Sequence, residues 1–376
     1  MRAWAVFAVA FLQVILVSAH WFIYRTLVSF WPPFLPVTPD GLEYLRGALV
    51  LLSISFIIAA VLGYRYSNIF VSLTYKIAAV WLGILNFLFW AACLCWIAAF
   101  LLEVAAPPPA AAAARPWIGT VLFGTALLVS LYGFINAQRV RVRRTPISLP
   151  NLPPAWRGRT ALLVTDLHLG NVNQSGFSRR IADIARRLNP SIIFLAGDLF
   201  DGSKADPELL ASPLFDLTPP FGRYFCGGNH EDFGDAAGYT AALTKGGIRV
   251  LHNERVLVDD LQVIGVSYAD SSYPAHLRAF LESLHLDSGP ASVLLNHVPH
   301  RLPIVEQTGV SLQLSGHTHG GQIFPFTLFA RWAYGEFTYG LQRFGKLQVL
   351  TSSGAGTWGP PMRVGAHAEV VLITFT

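Results

Sequence analysis

The sequence predicts an all-α membrane domain of four spanning helices followed by an α/β domain in which strands alternate with helices. Two observations predict the first part and one predicts the second. The 376 residues are 53% hydrophobic and only 13% charged, against about 25% charged in an ordinary soluble chain. Four stretches free of Asp, Glu, Lys and Arg, at 3–24, 47–64, 77–102 and 116–138, crowd the first part of the chain, and about 20 apolar residues suffice for a helix to span a bilayer. From residue 160 the pattern changes to short β-branched and aliphatic runs alternating with amphipathic ones, as a layered α/β fold requires.

The four runs carry Trp or Tyr near several ends, where the ring meets both hydrocarbon and headgroup. With the N-terminus inside, the inner flanks hold Arg2, Arg65, Lys76, Arg139, Arg141, Arg143 and Arg144, and the outer flanks hold Arg25, Arg46 and Arg115. That imbalance predicts both termini in the cytoplasm, with the protein multi-pass in the inner (cytoplasmic) membrane. A signal peptide cleaved after Val17-Ser18-Ala19 is the competing reading of the first run, and it leaves the C-terminal part on the same side. The spans hold no Asp, Glu, Lys or Arg, which argues against an ion pump or proton relay. The expected role of residues 1–138 is anchoring in the lipid bilayer or helping a lipid reach the rest of the chain.

The net charge of +5 is unevenly spread. Residues 1–138 carry six basic and three acidic side chains, residues 139–144 four arginines, and residues 145–376 17 basic against 19 acidic. The positive excess belongs to the membrane flank, which excludes a nucleic-acid-reading surface. Segment 139–159, rich in Arg and Pro, is expected to be a linker whose arginines either bind anionic lipid or serve as the positive-inside signal alone. High aromatic and aliphatic content excludes global disorder. Cys93, Cys95 and Cys226 are too few for a disulfide framework.

Within 160–376, TALLVT (160–165) and SIIFLA (191–196) read as buried strands, with further strands at 223–226, 261–266, 292–296 and 311–315. FSRRIADIARRL (177–188) reads as an amphipathic helix with Ile181, Ile184 and Leu188 on one side, and helices are expected near 236–245 and 274–284. Nearly every strand is followed by polar residues able to hold a metal. Asp166 and His168 follow the first, Asp198 the second, Asn229, His230 and Glu231 the third, His297 a later one, and His317 and His319 the last. Open α/β sheets place their sites at the carboxyl ends of strands. Taken singly, Asp198 reads as a helix cap and Asn229 as a turn residue after two glycines; their joint order is what points to a site. Carboxylate, imidazole and amide oxygen together suit Mn, Fe or Zn. A pair of such ions can activate water and clamp a phosphoryl group. No GxxxxGK[ST] loop or GxSxG elbow is present, so the sequence offers neither NTP-driven phosphoryl transfer nor a serine hydrolase.

The ordered blocks D-x-H, G-D, G-N-H-[ED], H and G-H-x-H, from Asp166 to His319, resemble the calcineurin-like metallophosphoesterases over about 215 residues. The resemblance implies a four-layer sandwich in which two mixed β-sheets are flanked by helices, and two divalent metal ions, with Mn favoured. It also implies that Asp166, His168 and His319 hold one metal, that Asn229, His297 and His317 hold the other, and that Asp198 bridges them. His230 is then the general acid or phosphate-polarising group, poised by Glu231 or a nearby acid. S-G-H-T-H-G-G-Q at 315–322 is similar to the membrane-associated bacterial branch, including transmembrane metallophosphoesterases. By the same likeness Arg363 either contacts substrate phosphate or serves the surface, while Trp358-Gly359-Pro360-Pro361 departs from the pattern.

These readings lead to one expected activity, hydrolysis of a phosphodiester, phosphomonoester or pyrophosphate bond. The expected partner is a phosphorylated, lipid-linked substrate, with UDP-2,3-diacylglucosamine as a concrete candidate. A cyclic nucleotide is the soluble alternative, and a non-catalytic scaffold or sensor binding a phosphorylated ligand is the alternative of another class.

Overall fold

The structure, a computed structural model, describes residues 3–32, 34–36, 38–286 and 289–376, with side chains from residue 7 onward. Arg2 therefore lies outside the described residues. The chain divides into two compact units, Met1–Ile135 with Pro360–Met362, and Asn136–Gly359 with Arg363–Thr376.

The first unit is helical: α1 (Ala3–Ser29), α2 (Pro39–Arg65), α3 (Ile69–Ala105) and α4 (Pro108–Ala137). All four are long and apolar enough to cross a membrane. Each is longer than the charge-free stretch that announced it. The 37 residues of α3 make about 55 Å of helix at 1.5 Å per residue, more than the roughly 30 Å of hydrocarbon. Thr38 Oγ1 accepts from Gly41 N and Asn68 Oδ1 from Val71 N, satisfying N-terminal amides of α2 and α3. Between α1 and α3 the few polar groups pair: Trp81 Nε1 donates to His20 Nε2 at 2.8 Å and Trp96 Nε1 to Thr26 Oγ1 at 2.9 Å. Such pairing is what polar side chains need in hydrocarbon.

The second unit is built on two six-stranded mixed sheets. The first contains β1 (Arg141–Ile147), β2 (Thr160–Val164), β3 (Ile192–Ala196), β4 (Arg223–Cys226) and β5 (Arg249–Val250), with the C-terminal strand β12 (Glu369–Phe375) inserted between β1 and β2. The second runs β10 (Gly340–Phe344), β11 (Leu347–Thr351), β9 (Leu312–Ser315), β8 (Ser292–Leu295), β7 (Leu261–Gly265), β6 (Glu254–Val258). The strands that carry the candidate ligands, β2–β3–β4 and β8–β9, are parallel within their sheets.

Continuous apolar runs are what a parallel strand buried on both faces needs, and alternation then sorts side chains to two cores. From β2, Leu163 joins Phe194, Val263, Leu295 and Leu314 between the sheets. Leu162 and Val164 point the other way, under Ile181 and Ile184 of α5 (Ser175–Leu188). That outer layer also holds α6 (Pro207–Phe215) and α8 (Ala236–Lys245), with the short α7 (Asn229–Phe233) between them in the chain. The outer face of the second sheet packs Ile264 and Leu294 on α10 (Pro274–Ser283) and α11 (Leu302–Gln307), with α9 (Tyr268–Ser272) and α12 (Phe326–Tyr334) completing the chain. These are the four layers the resemblance implied.

Segment 139–159, expected as a linker, is instead part of this fold. Residues 141–147 pair with 369–375 in parallel register, and Trp156 is fully buried, its Nε1 donating to the carbonyls of Val258 and Asp259. The arginines of β1 hid the strand, because an edge strand needs only one buried face.

Candidate metal centre

Asp166, His168, Asp198, His317 and His319 sit just beyond the ends of β2, β3 and β9, and all five have left-handed backbone, with φ of 54°, 45°, 51°, 68° and 49°. Side chains bearing a Cβ hold that conformation only where surroundings over-determine it. Hydrogen bonds supply the constraint: Asp166 N donates to Gly197 O, His168 N to Asp198 O, and His317 N to the Asp166 carboxylate Oδ1. Two glycines make room. A Cβ at Gly316 would lie 2.2 Å from Asp166 Oδ2, and one at Gly228 would lie 2.3 Å from Asp198 Oδ1.

The ligating atoms converge in three overlapping groups: Asp166, His168 and His319; His168, Asp198 and His230; Asp198, His297 and His317. His168 Nε2 is 3.0 Å from His319 Nε2, His319 Nε2 is 3.4 Å from Asp166 Oδ1, and His297 Nε2 is 3.1 Å from Asp198 Oδ2. Asn229 Oδ1 faces His317 Nδ1 at 2.9 Å. All seven residues proposed from sequence as metal ligands thus come together, all buried except the half-buried His317.

The electrostatics fit a cation. Burial drives His168 and His317 down to about 3 and His319 well below its usual value, so each offers the neutral imidazole that ligates a metal. Burial raises Asp166 to about 6. Burial also acts to raise Asp198, but the positive field of His297 outweighs it and holds that carboxyl below the usual carboxylate range. His297 in turn resists the lowering effect of burial, because Asp198 and Asp166 hold its proton up to about 10. One imidazolium therefore faces two buried carboxyl groups, and buried Asp166 Oδ2 has no hydrogen-bond partner among the described residues. These donors suit divalent ions that accept mixed oxygen and nitrogen ligands.

His230 stands at the edge of the cluster, ring-to-ring with His168 at 4.7 Å. Its N–H donates to Asp198 Oδ1, and its Nδ1 lies 3.1 Å from Asp201 O. Glu231, expected as one of two alternatives (itself or a nearby acid) to poise His230, does something else: its carboxylate accepts from the amides of Asp198, Phe200 and Gly228. It shapes the loop that carries Asp198, and burial raises it to about 7. Asp201, which the sequence reading missed, orients the His230 ring through its carbonyl. Its spacing three residues after Asp198 was the available signal.

Arg363 is also corrected. It is completely buried, neither a surface residue nor free to meet substrate. Its guanidinium donates to five carbonyl oxygens, those of His319, Ser353, Gly354, Gly356 and His367. Burial lowers it to about 10. It ties the His319 segment to loop 353–356, whose Gly356 amide donates to Asp166 O.

The divergent Trp358 forms part of an aromatic rim. Its exposed ring lies 6.1 Å from His230, as does that of Phe233, which in turn meets Tyr268. Gln322, last residue of S-G-H-T-H-G-G-Q, exchanges two 2.9 Å hydrogen bonds with the Trp358 backbone.

Two facing mixed sheets with a buried His/Asp/Asn cluster at their strand ends define a metal-dependent hydrolase. The family model for calcineurin-like phosphoesterases matches residues 160–321. A transmembrane protein with metallophosphoesterase domain from Danio rerio is 32% identical over 266 residues, 66% of this chain and 60% of that one. A metallophosphoesterase of Aquifex aeolicus is 31% identical over 256 residues, 66% of this chain and 97% of its own. A solved dimetal phosphatase of Danio rerio aligns at 11% identity over 58% of this chain and all of its own, with a TM-score of 0.31. The chain belongs to the calcineurin-like metallophosphoesterase family. Its matched domain is accordingly a hydrolase of the class that acts on phosphoester bonds, while the match spans less than two thirds of the Danio rerio transmembrane relative.

Proposed function

We propose that the protein is a membrane-anchored two-metal phosphoesterase whose catalytic domain faces the cytoplasm from the inner membrane. The observation that carries the reading is the convergence of Asp166, His168, Asp198, Asn229, His297, His317 and His319 into overlapping donor groups. In this reading Asp166, His168 and His319 hold one ion, Asn229, His297 and His317 the second, and Asp198 serves both. Two bound ions, with Mn favoured, would supply Lewis acidity and water of lowered pKa.

The protein's own side chains do the rest. Asp201 O accepts the proton on His230 Nδ1, so donation to a phosphoryl oxygen or to the leaving group falls to a second proton carried on Nε2. Glu231 and Arg363 hold the Asp198 and His319 loops so that the donors stay at short range. The aromatic rim of Phe233 and Trp358 supplies flat apolar walls beside that chemistry.

The substrate that fits a membrane-embedded enzyme is a phosphorylated lipid, with a lipid-linked pyrophosphate such as UDP-2,3-diacylglucosamine as the leading candidate. The same aromatic rim favours, as second reading, a cyclic nucleotide whose base stacks there.

The test is hydrolysis of bis(p-nitrophenyl) phosphate by detergent-purified full-length protein with Mn²⁺, beside Asp198→Ala. Activity requiring both the metal and Asp198 is the expected result. Equal turnover by the variant would overturn the assignment of the site. UDP-2,3-diacylglucosamine and a cyclic nucleotide, assayed next, separate the two substrate readings.

A further inference from the structure

The helix α12, immediately after the His317–His319 stretch, has no buried side chain. Phe326, Phe329 and Trp332 follow at i, i+3 and i+6, which puts them on one face. All three are exposed, Trp332 86% so, and exposed Phe324 and Leu328 extend the patch. The Phe326 and Phe329 rings lie 6.2 Å apart. A contiguous apolar ridge of this kind on a soluble domain marks a surface that meets something.

Two observations say what it meets. The first is covalent continuity with the apolar helices. Asn136, at the end of α4, donates to the carbonyls of Arg363 and Ala366, and the neighbouring residues Val364 and Gly365 bridge to Ile323, just ahead of α12. On its other side α12 leads to Tyr339, whose ring lies 4.7 Å from the Arg143 guanidinium and whose hydroxyl donates to Glu369 beside β1. The ridge thus belongs to the corner of the domain that continues directly from an apolar helix.

The second observation is charge. Arg139, Arg141 and Arg144 at the start of β1 are exposed, as is Arg331 on α12 itself. Arg331 and His367 border an open recess of about 600 Å³ beside Leu328, with Glu336 as the acid among its walls. Aromatic and leucine side chains flanked by arginines match the boundary between acyl chains and anionic headgroups.

We propose that α12 lies in the headgroup–acyl boundary of an anionic bilayer, with Phe326, Phe329 and Trp332 immersed and Arg331 among the phosphates. Tyr334, at the helix's far end, has its ring 6.0 Å from that of His317, so one short helix joins the lipid surface to the candidate metal centre. The proposal rests on the membrane reading of α1–α4 and requires no turnover.

The test uses full-length protein carrying Cys93→Ala, with Trp332→Cys, Phe329→Cys or Leu257→Cys labelled with NBD, in vesicles of phosphatidylethanolamine and phosphatidylglycerol. Leu257 is an exposed apolar residue on β6, at the opposite edge of the second sheet from β10, about 24 Å away at five strand spacings. Labels at 329 and 332 are expected to be quenched by shallow doxyl lipid and shielded from aqueous iodide, and the label at 257 the reverse. Positions 329 and 332 behaving as 257 does would overturn the proposal. Shielding from both quenchers would also overturn it, because a protein surface would then cover the ridge. Neither readout depends on hydrolysis, so a failure here is distinct from a failure of the catalytic reading.

Discussion

The Arg363 guanidinium holds five carbonyl oxygens that no other described side chain is placed to serve together. Arg363→Met leaves the buried carbonyls of Ser353 and Gly356 without a donor among the described residues, while those of His319, Gly354 and His367 keep one each from Gln322 N, Glu369 N and Ser353 Oγ. It should cost about 3 kcal/mol, read as a lower melting midpoint in detergent with weaker Mn²⁺ binding. Arg363→Lys should recover only part, since an ammonium lacks the planar fork. Glu231→Gln should keep the fold but weaken metal binding, because an amide offers one acceptor oxygen where three backbone amides now meet a carboxylate; metal titration checks it. The ligands were legible in sequence because each follows a strand run and has a polar side chain with little other reason to be there. The uses of Arg363, Glu231 and Asp201 were not. They depend on backbone carbonyls and amides, which every residue has, so sequence carries no mark of which ones turn inward.

Among elements, the ligand-bearing strands matched expectation closely because strands buried on both faces read as unbroken apolar runs. The outer strands were less legible. β1 is an Arg-rich edge, and β10 and β6 are half-exposed edges whose side chains need satisfy only one neighbour. The aromatic rim was invisible, since Phe233 at the end of α7, Tyr268 at the start of α9 and Trp358 in a late loop come from well-separated parts of the chain. This sets where the catalytic part can be cut. A fragment starting at residue 139 should express as a folded, metal-binding domain, whereas one starting at 160 lacks β1 and Trp156 and should aggregate; size-exclusion profiles and melting curves distinguish them.

For the whole molecule, the balance of charge couples metal to protons. His297 holds its proton up to about 10 in the metal-free site, yet it must be neutral to ligate. Metal binding at pH 7–8 should therefore release about one proton, and affinity should rise with pH through that range. Calorimetric titrations in buffers of different ionisation enthalpy would measure the release directly, and binding heats independent of buffer would contradict it.

The pairing of β1 with β12 has a consequence for synthesis. β1 is the first strand of the sheet to follow the apolar helices, and its only described strand neighbour is β12, the last of the described strands, residues 369–375. β12 is also what joins β1 to β2. As the ribosome extends the chain, β1 and β2 therefore wait with open edges until residues 369–375 emerge. A stop codon before residue 369 would leave a protein still stitched into the membrane but unable to complete its sheet, a natural target for proteolytic quality control.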